Sequence, residues 1–205
     1  MEENIKKRFP NQAIVTVTNS ANLDLFVPSG SFNQEDTFAI YTGNIGEVNN
    51  SSLLLDAAKI LLEKGRGDIK IKMYGDGQLY LELLGRVKME NISNLKVCKS
   101  IPKQKLVLEI GKSFASLIPL LDLPLLDTSS PNKLYESLAA GKPIVQTTKG
   151  WIKALLDEHE CGFTVSPTDA NELADALIVL FDQPELNAKM AVRARELAEK
   201  CFDGK

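Results

Sequence analysis

The chain has 205 residues, 24 Lys and Arg against 27 Asp and Glu, a formal net charge of −3 and 44% hydrophobic residues. This length is ample for one large domain or two small ones with a real core, and the average hydrophobic and charged content argues against bulk disorder. The mild acidity argues against a duplex nucleic-acid binder, which needs clustered Lys and Arg. No stretch approaches the roughly 20 apolar residues of a membrane span, and the start Met1-Glu2-Glu3-Asn4 is unlike a signal peptide. Cys98, Cys161 and Cys201 are odd in number and far apart, which fits reduced cytosolic thiols and excludes a disulfide framework or a Cys-based zinc site. A soluble, cytoplasmic α/β-type domain is expected.

From the N-terminus, residues 13–18 read as a strand, and 19–37, polar and carrying Pro28, Ser29, Gly30 and Ser31, read as a linker or inter-domain crossing. Residues 38–42 are short, apolar and rich in β formers, and end at Gly43. Apolar residues at helical spacing over 53–64 stop at Gly65 and Gly67. Residues 69–74 alternate Ile, Lys, Ile, Lys, Met and predict a strand. Then follow a helix at 78–90, a strand at 95–98, a helix at 103–110, a strand at 114–118 and a helix at 131–140. A strand at 143–146, a helix at 151–158, a strand at 163–165 and helices at 170–181 and 185–199 complete the chain. This alternation predicts a Rossmann-like, doubly wound parallel sheet of about six strands with helices on both faces. Residues 1–37 then form a crossing segment and 38–205 the ligand-binding domain, and the abrupt end after the last helix suggests a piece of something longer.

In open α/β sheets the ligand sits outside the carboxyl ends of the strands, so the loops after strands carry the chemistry. In the first, Gly43-Asn44-Ile45-Gly46, two glycines permit close backbone approach to a ligand, or simply make a strand-to-helix turn. The second, Gly75-Asp76-Gly77, lacks the third glycine and the later acid of a dinucleotide fingerprint, and no P-loop pattern occurs anywhere. In the third, Ser130 suits an N-cap and Pro131 a first helical residue. Free N–H groups, the positive helix end and Lys133 then form an anion site suited to phosphate or diphosphate. Glu136, one turn on, suits sugar hydroxyls, although an exposed Lys–Glu helix pair has the same spacing.

The run Glu136-Ser137-Leu138-Ala139-Ala140-Gly141-Lys142-Pro143-Ile144-Val145 resembles the donor-site helix of GT-B glycosyltransferases, specifically retaining family 4 and its capsule and O-antigen branch, where Ser-Pro-Asn-Lys resembles the usual form. Other stretches fall in that family's order: Tyr41 to Gly46, Met73 to Gly77, Val97 to Lys105, Cys161 to Asp169, and Val15 to Phe26 as the crossing into the C-terminal half. The resemblance implies a nucleotide-diphosphate sugar as donor substrate, with no separate cofactor and no bound metal. It implies a donor site of Gly43, Asn44, Gly46, Gly75 and Asp76, with Lys99, Ser100 and Ile101 around the base. It places Thr128, Ser130, Pro131, Asn132, Lys133 and Leu134 at the sugar and diphosphate, and Glu136 on the ribose hydroxyls. Lys133 and Glu136 would carry the catalytic role. The acceptor, a sugar or lipid-linked sugar, would be met by an N-terminal domain not included here, and any membrane contact would lie there. Alone, these residues would bind donor weakly and transfer nothing.

Two departures bear on that reading. The family's first carboxylate, eight positions before Glu136, is Thr128 here, and its diphosphate-binding Arg and Lys fall at Asn44 and about Asn49. Lys133 would replace those cations. A non-catalytic nucleotide-sugar-binding module is the rival these losses favour. A nucleotide-sugar epimerase needs a cleft histidine, whereas the one histidine, His159, sits in a polar helix end.

Overall fold

The computed structural model describes residues 2–13, 18–30 and 33–204. A first helix, α1 (Glu2–Arg8), carries its basic residues Lys6, Lys7 and Arg8 in the last turn, where they complement the helix dipole. It was not expected in a stretch read as crossing segment, and the strand expected at 13–18 falls largely on residues outside those described. The remaining elements are β1 (Ala39–Thr42), α2 (Ser51–Glu63), β2 (Ile71–Tyr74), α3 (Tyr80–Met89), β3 (Leu95–Cys98), α4 (Lys103–Lys112) and β4 (Ala115–Ile118). A 3-10 turn (Leu126–Thr128) precedes α5 (Asn132–Ala139), β5 (Ile144–Gln146), α6 (Trp151–His159), β6 (Gly162–Thr164), α7 (Ala170–Asp182) and α8 (Pro184–Cys201).

The six strands form one parallel sheet in the order β3-β2-β1-β4-β5-β6. The strand order reverses between β1 and β4, which opens a crevice at their carboxyl ends. The central strands β1, β4 and β5 are buried on both faces and divide their side chains alternately, whereas β2 and β3 turn Lys72 and Lys96 outward on one face. Ala39 and Tyr41 join one core cluster with α2, α3 and α7, while Phe38 and Ile40 join the other with α5, α6 and the end of α8. Each fully buried large side chain contributes roughly 1.5–3 kcal/mol relative to its exposed state.

The polar segment before β1 does not stand apart from this body. Ala21, Leu23 and Phe26 are buried in the second cluster. Ala21 N–H donates to the Phe202 carbonyl at 3.1 Å, and Gly204 N–H donates to the Ala21 carbonyl at 3.2 Å. Arg195 Nη1 donates to the carbonyls of Phe26 (2.8 Å) and Ala139 (2.7 Å), tying the segment to α8 and α5. Three buried apolar side chains, together with these hydrogen bonds, seat the segment.

Candidate functional site

The loops after β1 and β2 interlock at the carboxyl edge of the sheet. Gly43 N–H donates to the Tyr74 carbonyl at 3.0 Å, Gly75 N–H to Cys98 at 3.1 Å, and Ile45 N–H to Asp76 at 2.8 Å. A side chain on Gly75 would collide with the Gly43 carbonyl, so only glycine lets the loops approach this closely. Beside them lies a cleft of about 260 Å³ lined by Gly43, Asn44, Gly75, Asp76, Ser100 and Ile101, together with Tyr74 and Leu106. Six residues expected at the site therefore meet in one place. At the rim Lys99 Nζ lies 3.1 Å from each Asp76 oxygen and 4.0 Å from the Tyr80 ring centroid. Lys99, with the Gly77 N–H, holds the Asp76 carboxyl below its ordinary range. Gly46 is spent on the turn itself: its N–H and carbonyl both bond the Ser51 hydroxyl, at 3.1 and 3.2 Å.

Helix α5 approaches the same edge. Pro131 occupies the N-cap position, and the helix begins at Asn132 without a side-chain cap. Ser130, expected as the cap, instead pairs its hydroxyl with the Tyr135 phenol at 2.6 Å. Its carbonyl accepts from Asn19 Nδ2 at 2.8 Å. The physical reason is that Pro131 is itself extended (φ −74°, ψ 133°), which moves the helix start one residue on. Leu134 N–H is taken by the Pro131 carbonyl at 3.0 Å and its side chain is fully buried. Among the described residues, the first-turn N–H groups without a backbone acceptor are thus those of Asn132 and Lys133.

Lys133 projects toward the β1 loop. Its Nζ lies 4.1 Å from the Tyr41 ring centroid and 3.3 Å from Asn49 Oδ1, and a Cβ on Gly43 would fall 3.1 Å from it. Gly43 is also at φ 133°, so a side chain there is disfavoured twice. Among the described residues no carboxylate forms an ion pair with Lys133, and burial pushes its ammonium down to about 7. A desolvated ammonium at a helix N-terminus and next to a glycine turn has the chemistry to receive an anion.

Glu136 is one turn further along α5. Its Oε1 accepts from Lys103 Nζ at the start of α4, and its side chain is largely buried. Thr128 is not among the residues lining the cleft; it is exposed at the end of the 3-10 turn and donates its hydroxyl to the Leu125 carbonyl at 2.8 Å. Asn132 is exposed and is not among the residues lining the cleft. Among the described residues no group of His, Cys, Asp and Glu could hold a metal ion. Sequence reasoning missed Asn49, Lys103, Tyr74 and Leu106. Asn49 stands where the resembled family places a cation, and Lys103 lies within the Val97 to Lys105 stretch with no local signal that sets it apart from the neighbouring lysines.

Residues 25–197 match the family described as glycosyl transferases group 1. The whole chain is 24% identical, over 209 residues, to 54% of an uncharacterized glycosyltransferase of Methanocaldococcus jannaschii. It is 28% identical over 175 residues to N-acetyl-alpha-D-glucosaminyl L-malate synthase of Bacillus anthracis, a match covering 82% of this chain and 42% of that protein. The chain thus spans about half the length of these curated relatives. Among solved structures, S. aureus TarM in complex with fondaparinux, alpha-GlcNAc-glycerol and UDP superposes with a TM-score of 0.76 at 16% identity. That match covers 98% of this chain and 39% of TarM.

Proposed function

Because the chain belongs to the glycosyl transferases group 1 family, we propose that it is the donor-binding part of a retaining, family 4 glycosyltransferase of the capsule and O-antigen branch. Residues 1–37 are the crossing from an acceptor domain, and 38–205 hold a nucleotide-diphosphate hexose. The observation that carries this reading is Lys133, a buried ammonium with no carboxylate partner among the described residues, seated against Gly43, which itself lines the cleft although Lys133 does not. UDP in the TarM complex makes it the first nucleotide to test.

In this reading the base lies in the cleft against the backbone of Lys99, Ser100 and Ile101, and Glu136 accepts from the ribose hydroxyls. The diphosphate meets Lys133 and the open N–H groups of Asn132 and Lys133. These donors are fixed before the reaction, so they stabilise the charge that gathers on the departing diphosphate as the glycosidic bond to the donor breaks. Asn49 steadies the lysine where the family's own loop cation is missing. Transfer requires the acceptor domain; the residues present here bind donor without turning it over. The acceptor is a sugar or lipid-linked sugar of a bacterial surface polysaccharide, met at the inner face of the membrane.

Titration of UDP into the chain by calorimetry tests this. The Lys133→Met variant is expected to weaken UDP binding by roughly 10- to 100-fold, the loss of one charge-assisted contact. Equal affinity of variant and parent would overturn the assignment. The absence of an acid at Thr128 favours a second reading, a binding module that transfers nothing. Sugar transfer from a UDP-hexose by the protein with its acceptor domain would end that alternative.

A further inference from the structure

Glu136 presents its two carboxylate oxygens unequally. Oε1 is held by Lys103 Nζ, whereas Oε2 has no hydrogen-bond partner among the described residues. Lys103 is itself placed by its neighbours. It is the first residue of α4, two positions after Ile101 on the cleft wall, and its Nζ lies 5.1 Å from the ring centroid of buried Phe26. Glu136 is only 15% exposed, and Lys103 is 49% exposed. A half-exposed pair of this kind adds little to stability. Its geometric effect is separate: a carboxylate held at one oxygen is restrained in its rotation and biased toward offering the other oxygen in one direction.

We propose that Lys103 is a positioning residue for recognition of the ribose: it fixes Glu136 so that Oε2 accepts a hydrogen bond from a vicinal hydroxyl of the nucleoside diphosphate. This rests on the reading of the cleft as a nucleotide site. It adds a specific cause for discrimination between ribose and deoxyribose, located in a lysine that contacts neither sugar nor phosphate. Arginine at 103 retains a cation able to hold Oε1, while methionine retains the packing on Phe26 and removes the charge.

The experiment measures dissociation constants of the full chain for UDP, 2′-deoxy-UDP and 3′-deoxy-UDP, with thermal melts of each variant. The parent is expected to prefer UDP over at least one deoxy analogue by roughly tenfold, as befits a hydrogen bond to a charged acceptor. Lys103→Met should bring that ratio to within about threefold of unity with little change in melting temperature, and Lys103→Arg should keep it. Glu136→Gln should lose the preference as well. A ratio unchanged in Lys103→Met but lost in Glu136→Gln would overturn the role of Lys103 and leave the donor reading standing. A ratio retained in both variants would remove Glu136 from the ribose, and the proposal with it. No UDP binding by the parent at millimolar concentration would overturn both.

Discussion

At the scale of single residues, the proposed donor site makes Lys133 the point where binding is coupled to protons. Its free-state value near 7 means that the amine is largely neutral at pH 8, whereas an anion is attracted by the ammonium. A bound diphosphate raises that value, so the complex takes up a proton and affinity falls as pH rises above about 7. Calorimetry at pH 8 in two buffers of different ionisation enthalpy should show an uptake approaching one proton per UDP, absent in Lys133→Met. Zero uptake in the parent would mean that the lysine charge takes no part in binding. The same position shows what sequence reasoning reached. A lysine just inside a helix after Ser-Pro-Asn is visible in the sequence, but its partnership with Asn49, 84 positions earlier, is not.

At the scale of elements, the site depends on the interlocked turns after β1 and β2. Gly75 looks like any turn glycine in the sequence, but its constraint is the Gly43 carbonyl on the neighbouring loop. Gly75→Ala must push the two loops apart or displace the Gly43 carbonyl. It should cost about 2–4 kcal/mol in chemical denaturation and weaken UDP binding at least as much as loss of a single contact. Near-parental stability with intact binding would show that the loops tolerate separation. The start of α5 carries a similar lesson. Ser130 and Pro131 have the composition of a cap, but the buried Tyr135 phenol claims the serine hydroxyl and proline itself takes the cap position. Local propensity named the right turn and missed the roles within it, because the competing partner comes from the packed face of the helix.

At the scale of the whole molecule, two buried lysines set a slope of stability with pH. Lys142 Nζ donates to Ser29 Oγ at 3.2 Å and to the Gly111 carbonyl at 2.7 Å, and burial pushes it down to about 8. Together with Lys133, it holds fewer protons folded than unfolded between about pH 7 and its unfolded value of 10.5. Their contribution to stability is therefore greatest above that upper value and is lost as pH falls toward 7. Cys161, which burial raises to about 11, acts in the opposite direction above about pH 9. Unfolding free energy should accordingly rise from pH 7 to pH 9, and a Lys133→Met, Lys142→Met double variant should flatten that rise. An equal slope in the double variant would remove both lysines as its source.

The sequence by itself determined the succession of strands and helices from residue 38 onward, because period-2 and period-3.6 apolar patterns separated by Gly and Pro are local signals. It also determined the parallel, doubly wound class of the sheet, since short strands alternating with helices admit few other topologies. The motifs Gly43 to Gly46, Gly75 to Gly77 and Lys133 to Glu136 were legible as well, each from its own few residues. Tertiary structure alone decided which of them meet. It paired Asp76 with Lys99, Glu136 with Lys103 and Lys133 with Asn49, and it seated Ala21, Leu23 and Phe26 of a polar segment in the core. The reason is range. Helical and strand periodicities are written within about a dozen residues, whereas each of these pairings joins side chains separated by up to 84 positions. Such pairs come together only where parallel strands bring their carboxyl ends to one edge.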